Sequence, residues 1–276
     1  MTAFLTKRRQ GPVPSQLAAI MLAVCIVLLA GCANNKPLTT GSVATHTKPV
    51  ADMNVMELSA AAARFGEAYE KNPQDRNTGL AYASILRMTG RDEQALAVMQ
   101  QVAIHHPEDR EVLAAYGKAQ AAVGQFDMAL KSIRRAQTPD RPDWKLISAE
   151  GAVLDQLERR DEARQLYRKA LDLAPNEPSV LSNIGMSYLL TGDLKIAEQN
   201  LRKASGMPGA DSRVRQNLAL VVGLQGRFAE AETIARAELP KEQADANINY
   251  LRSLLAEDNT WAELAADDRD TAIAEN

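Results

Sequence analysis

Aromatic residues are scarce in this 276-residue chain, at 4% of the sequence, and no segment shows a clear β-strand pattern of alternating apolar and polar side chains. The hydrophobic content is nevertheless 46%, and alanine supplies much of it. Closely packed helices with alanine-rich contacts account for both features. The composition therefore predicts an all-α fold.

Cysteine is nearly absent, since Cys25 and Cys32 are the two in the chain and both lie near its N-terminus. Residues 17–30 form an uninterrupted run of small and apolar side chains, about six residues shorter than a bilayer span. A basic segment, residues 7–9, precedes this run, and this order is typical of a secretory signal. We therefore predict that residues 1–31 are a signal peptide and that the mature chain forms no disulfide framework.

The signal ends in Leu29, Ala30, Gly31 and Cys32, which resemble the lipobox of bacterial lipoproteins. The resemblance implies that the Cys32 sulfur is diacylated and that Cys32 becomes the new N-terminus. A plain signal peptide with an incidental cysteine is the alternative. Ala33 stands where an aspartate would signal inner-membrane retention, so the resemblance implies a lipid-anchored protein on the periplasmic face of the outer membrane.

Charge and motifs exclude several function classes. The formal charge is −3, and removing the three basic residues 7–9 leaves 29 basic against 35 acidic side chains, or −6, which gives no reason to expect a nucleic-acid partner. There is no Walker loop, no histidine pair at zinc spacing, no Cys-x-x-Cys and no glycine-rich dinucleotide turn. We therefore expect no catalysis, no cofactor, no metal and no small-molecule substrate.

A period of 34 residues organises the middle of the chain. The units start at Arg76, Arg110, Trp144, Pro178 and Ser212. The eighth position is always small, as Ala83, Gly117, Gly151, Gly185 and Ala219. The twentieth position is always alanine, as Ala95, Ala129, Ala163, Ala197 and Ala231. The turn between helices carries Gly90, Gly124, Gly192 and Gly226 in four units and Glu158 in the remaining one, where we expect a slightly different turn.

These offsets resemble the tetratricopeptide repeat, a helix–turn–helix unit that must stack on its neighbours to bury its apolar face. The resemblance predicts a right-handed superhelical solenoid of antiparallel helix pairs. Its five units cover residues 76–109, 110–143, 144–177, 178–211 and 212–245.

The segments outside the units have distinct patterns. Residues 32–52 show no helical period and indicate a flexible tether behind the lipidated cysteine. Residues 53–75 contain an amphipathic helix, Asn54–Lys71, that we interpret as an N-terminal cap or half unit. Residues 246–264 form a C-terminal cap built on a helix at Asp245–Ala256, with Ile248, Leu251, Leu254 and Leu255 on its buried side. Residues 265–276 are acidic and are expected to be a disordered tail.

In this architecture the first helix of each unit lines a concave groove, so we predict that partner proteins bind there. The predicted groove residues are Lys145, Ser179, Ser182, Asn183, Met186, Leu189, Arg213, Gln216, Asn217 and Leu220. They form an apolar strip with amides and basic groups at its edges, suited to an amphipathic helix or an extended tail. The alternative is that Leu190 and Leu224 belong to the hydrophobic core between units and do not bind a partner. Asn183 and Asn217 would then be residues that simply occur often in this repeat.

Residues 180–204 and 218–255, which include the segment QADANINYLR, are similar to the TadD family. These are tetratricopeptide lipoproteins of the Tad (tight adherence, Flp pilus) assembly system, and the lipobox agrees with that family. The resemblance implies a non-catalytic, pilotin-like assembly factor that assists the secretin of the outer membrane. An envelope adaptor that scaffolds peptidoglycan hydrolases or proteases is the alternative, and an enzyme is a third hypothesis that the missing motifs oppose.

Overall fold

The computed structural model describes residue 53 and residues 55–256, and this part of the chain forms twelve helices and no extended sheet. The helices are α1 (Val55–Lys71), α2 (Arg76–Met88), α3 (Asp92–His105), α4 (Arg110–Ala122), α5 (Phe126–Ala136), α6 (Trp144–Gln156), α7 (Arg160–Leu173), α8 (Pro178–Leu189), α9 (Leu194–Ser205), α10 (Ser212–Leu224), α11 (Phe228–Arg236) and α12 (241–256). The all-α solenoid of helix pairs predicted from the sequence is confirmed.

The first helices α2, α4, α6, α8 and α10 begin at the five residues from which the units were counted. An acidic residue precedes each start, and its side chain accepts a hydrogen bond from a backbone N–H of the first turn. These caps are Asp75, Asp109, Asp143, Glu177 and Asp211. A carboxylate at this position satisfies an otherwise unpaired donor and complements the positive end of the helix dipole. The helix starts are therefore encoded locally.

The small residues at the eighth and twentieth positions bring the two helices of a unit together. All five alanines at the twentieth position are 0% exposed. A Cβ added to Gly151 would lie 2.7 Å from Cε1 of Tyr167, and one added to Gly117 would lie 2.7 Å from Cγ1 of Ile133. These distances are too short for carbon atoms, so glycine at these positions is what allows the two helices to approach.

The turns between paired helices use the left-handed backbone conformation. Gly90, Gly124, Gly192 and Gly226 have φ between 72° and 79°, and Glu158 has a φ of 61°. The expectation of a different turn at Glu158 is therefore wrong. The packing of α6 on α7 imposes the same chain reversal as in the other units, and Glu158 adopts it despite its Cβ.

Stacking of the pairs produces a continuous core. Buried side chains from α4 through α10 form one cluster around Ile147, Leu154 and Tyr167, all at most 1% exposed. Each helix packs on its neighbours in sequence, and each first helix also contacts the first helix of the next unit. The first helices therefore form an inner layer and the second helices an outer layer.

The two ends differ from the repeats. α12 buries Ala244, Ile248 and Leu251 against the last unit, whereas Leu254 and Leu255 are only partly buried. It begins at residue 241, earlier than predicted, so the predicted unit boundary after residue 245 falls inside this helix. The cause is Pro240, which cannot extend α11 and whose carbonyl accepts the first backbone hydrogen bonds of α12.

The signal peptide, Cys32, the tether, the end of the predicted C-terminal cap at residues 257–264 and the acidic tail lie outside the described residues. Within the described part of the chain, no helix combines the length and the apolar character needed to cross a membrane.

Candidate partner-binding groove

The predicted binding residues lie on α6, α8 and α10 of the inner layer, and we call this surface the groove. Seven of the ten are partly exposed: Lys145, Ser179, Asn183, Arg213, Gln216, Asn217 and Leu220. Three are buried: Ser182, Met186 and Leu189. The structure thus divides the predicted set into surface residues and residues that hold the helices together.

Two asparagines link successive first helices. Asn183 Nδ2 donates a hydrogen bond to Ser148 Oγ at 3.0 Å, and Asn217 Nδ2 donates to Ser182 Oγ at 3.1 Å. In both cases the sixth residue of one unit bonds to the fifth residue of the unit before it. The amide nitrogens therefore link successive inner helices. Ser148 was not predicted, although the repeated spacing of 35 residues between serine and asparagine was available as a signal.

Met186 and Leu189 do not form the predicted open apolar strip. Met186 is 6% exposed and Leu189 is 1% exposed, and both belong to a core cluster that includes Leu218 of α10. The direct packing of α10 on α8 covers them. Leu220 and Leu224, on α10, are partly exposed and supply the apolar surface instead.

Polar side chains at the N-terminal ends of the inner helices form one rim of the groove. The Lys145 ammonium lies 5.6 Å from the centre of the Trp144 ring, and Arg213 Nε donates to Asp211 Oδ2 at 3.0 Å. Gln216 Nε2 donates to Ser212 Oγ at 2.9 Å. Ser179 Oγ donates to the Glu177 carboxylate at 2.8 Å. The rim therefore combines basic groups with the acidic helix caps and suits the polar backbone of a bound peptide.

A carboxylate is buried where the third and fourth units meet. Asp155, on α6, is 5% exposed and accepts hydrogen bonds from Tyr167 Oη and Ser187 Oγ, both at 2.8 Å. Burial raises the pKa of Asp155 above its ordinary value, although these hydrogen bonds act in the opposite direction. The side chain therefore joins three helices, α6, α7 and α8.

Arg164 lies on α7, one turn before Tyr167, and binds the part of the chain around Ser187 that is next to this carboxylate. Its Nη2 donates to the Ser187 carbonyl oxygen at 3.0 Å and to Thr191 Oγ1 at 2.9 Å, and its guanidinium lies 4.0 Å from the centre of the Tyr188 ring. Sequence reasoning missed this cluster because its members are scattered over 37 positions. The available signal was Asp155 itself, an acidic residue at an inner-layer position of α6.

Comparison with protein families gives two matches, both to tetratricopeptide-repeat models, over residues 57–119 and 149–177. The chain therefore contains tetratricopeptide repeats. The matched segments cover most of α1 to α4, the C-terminal part of α6 and all of α7.

Solved structures show the same fold at low identity. A tetratricopeptide repeat protein from Parabacteroides merdae aligns with a TM-score of 0.63 at 14% identity, over 71% of this chain and 78% of its own. A thermophilic tetratricopeptide protein from Thermus thermophilus aligns with a TM-score of 0.57 at 22% identity, over 66% of this chain and 100% of its own. The comparison with curated protein sequences gives no match.

Tetratricopeptide-repeat proteins are typically non-catalytic scaffolds, and the fold indicates a role in protein–protein interaction. On the inner layer, where the groove is predicted, hydrogen bonds from Asn183 to Ser148 and from Asn217 to Ser182 join successive helices.

Proposed function

We propose that this protein is a lipid-anchored, non-catalytic assembly factor of the outer membrane that binds segments of Tad/Flp pilus proteins, such as secretin subunits, in its groove. The tetratricopeptide fold supports the interaction role. The lipobox at Cys32 supports the anchor, and the resemblance of residues 218–255 to the TadD family supports the choice of machinery.

The observation that carries the proposal is the inner layer itself. Its partly exposed residues include the rim cations Lys145 and Arg213, the amides of Asn183 and Asn217, and the apolar side chain of Leu220 farther along α10. This arrangement can bury apolar side chains of a peptide while the amides and cations bind its polar groups.

The anchor and the groove act together in this proposal. Lipid chains attached to Cys32 hold the protein at one membrane leaflet, and a tether of about 20 residues keeps the solenoid within a few nanometres of it. Secretin subunits assemble at the same membrane, so the effective concentration of groove and partner is raised without additional contacts.

The groove is tested with two matched substitutions in a strain that expresses the variant as its only copy. Leu220→Asp places a charge in the groove, whereas Ile196→Asp places one on the outer layer, where Ile196 is 40% exposed. We expect Leu220→Asp to reduce secretin multimers and surface pili and Ile196→Asp to leave both unchanged.

Co-purification from detergent-solubilised envelopes identifies the partner. Secretin subunits should be recovered with the wild-type protein and lost with Leu220→Asp. Recovery of peptidoglycan hydrolases or proteases in their place would reject the pilus assignment in favour of the envelope adaptor.

A further inference from the structure

Basic side chains repeat at one level of the outer layer. The twenty-second, twenty-fifth, twenty-sixth and twenty-ninth positions of a unit are three or four residues apart, so they lie on one side of its second helix. In the second to fifth units these positions contain eight cations and one carboxylate, Asp172. The cations are all exposed: Lys131, Arg134, Arg135, Arg168, Lys169, Arg202, Lys203 and Arg236.

Ion pairs account for three of these cations. Arg134, Arg202 and Arg236 bind carboxylates of their own or a neighbouring helix. Arg135 donates to the carbonyl oxygen of Pro107 at 2.9 Å, which leaves its charge unneutralised. Five cations form no ion pair with any described residue, and we call them the basic patch: Lys131, Arg135, Arg168, Lys169 and Lys203.

Helix stability explains only part of the basic patch. The helix dipole favours cations in the last turn of a helix, as at Arg135 and Lys203. The last turn of α7 has no basic residue, since Arg168 and Lys169 lie just before it, and Lys131 is in the middle of α5. The repeat does not require cations at these positions either, because the first unit has alanine and glutamine there, at residues 97, 100 and 101.

The basic patch contrasts with the acidic balance of the chain. Acidic side chains of α5 and α7 are in their first turns, at Asp127, Asp161 and Glu162, so each helix has separate acidic and basic ends. Leu173 is 44% exposed and lies one turn after Lys169. Long cationic side chains beside an exposed apolar one suit the headgroup region of an anionic membrane.

We propose that the basic patch binds the anionic headgroups of the membrane to which the protein is anchored. This choice of partner rests on the proposed function, in which the lipid anchor holds the solenoid within a few nanometres of one leaflet. Headgroups move within the leaflet and can meet cations spread over three helices, whereas an acidic protein segment must match their fixed spacing. With the outer layer on the membrane, the groove of the inner layer faces away from it and is open to partners.

The test is sedimentation with lipid vesicles. The full mature chain carries Cys32→Ser, so that no attached lipid contributes. Vesicles of equal parts phosphatidylglycerol and phosphatidylcholine are compared with vesicles of phosphatidylcholine alone. Lys169→Gln with Lys203→Gln removes two charges from the basic patch. Lys71→Gln with Lys195→Gln is the matched control, because all four lysines are exposed and form no ion pair with a described residue.

We expect binding to the anionic vesicles and not to the neutral ones, with an affinity that falls as salt is added. The Lys169 and Lys203 pair should weaken binding by about tenfold or more, and the control pair by less than about threefold. Leu220→Asp should leave vesicle binding unchanged, and the patch variant should retain the groove partner in detergent. Failure of this inference is thus distinguishable from failure of the proposed function. Circular dichroism establishes that the variants are folded.

Several results would overturn the proposal. Among them are no sedimentation with anionic vesicles, equal binding to neutral vesicles, and an equal loss of binding in the two lysine pairs. Binding to polyglutamate but not to vesicles would assign the basic patch to an acidic protein segment. A dimer in analytical ultracentrifugation that the Lys169 and Lys203 substitutions dissociate would assign it to a second copy.

Discussion

Gly185 is the position at which the packing of one helix pair can be tested most directly. A Cβ at this residue would lie 2.7 Å from Cγ of Leu201 and 3.0 Å from the backbone oxygen of Ala197. Normal carbon contacts are about 3.5–4.0 Å. Leu201 is 0% exposed and the second atom belongs to the backbone of α9, so neither atom can move away without displacing the helix.

Gly185→Leu adds this Cβ and three further carbons to a site without space for the first. Overpacking of this kind costs about 3 kcal/mol or more when helices must separate. The higher helix propensity of leucine returns only about 1 kcal/mol. A net loss of about 2 kcal/mol or more lowers the melting temperature by roughly 4–8 °C for a folded region of this size.

The assay is thermal unfolding followed by circular dichroism, with Gly206→Leu as the control. A Cβ at Gly206 would be 3.6 Å from its nearest neighbour, an ordinary contact, and the residue is exposed. The control should melt close to the wild type. Combining Gly185→Leu with Leu201→Ala should cost less than the sum of the two, because the second change makes space for the first. A Gly185→Leu melting curve that matches the control would refute the assigned contact between α8 and α9.

Three further predictions concern a turn, a buried charge and the anchor. Glu158→Gly should stabilise the protein by about 1 kcal/mol in chemical denaturation, because Glu158 is exposed and has a φ of 61°, and a loss of stability would show that its side chain has a role. The raised pKa of Asp155 means that the folded state binds a proton more tightly than the unfolded state. Lowering the pH from 7 toward the ordinary value of 3.8 should therefore stabilise the wild type relative to Asp155→Asn, and a constant difference in melting temperature over this range would contradict the assignment. Cys32→Ser should leave the helical circular dichroism spectrum unchanged but release the protein from the outer-membrane fraction, whereas persistence in that fraction would point to another anchor.

Much of the fold was predictable because the determinants of a helix pair lie within one period of 34 residues. The small eighth residue and the alanine at the twentieth position are local signals. They predicted the first-helix starts from Arg76 to Ser212, and the alanines at the twentieth position are fully buried as that pairing requires. The acidic cap before each first helix is a further local signal, which the structure revealed.

The composition of the groove was less predictable. Its residues were chosen by their position within a unit, but exposure depends on how closely the next unit packs, and the period does not encode that distance. Met186 and Leu189 are covered by α10, and Asn183 uses its amide nitrogen to bind Ser148 of the preceding unit. The asparagine–serine hydrogen bonds between units join residues 35 positions apart, and they depend on the angle between successive helix pairs.

The sequence by itself determined the repeat, its phase and the pairing of helices, because these follow from side-chain size and capping at fixed offsets. Only the tertiary structure decided which inner-layer residues remain exposed, that Glu158 adopts the glycine conformation, and that Asp155 is buried between three helices. Each of these depends on the stacking of one unit on another, where burial and desolvation are properties of several helices together.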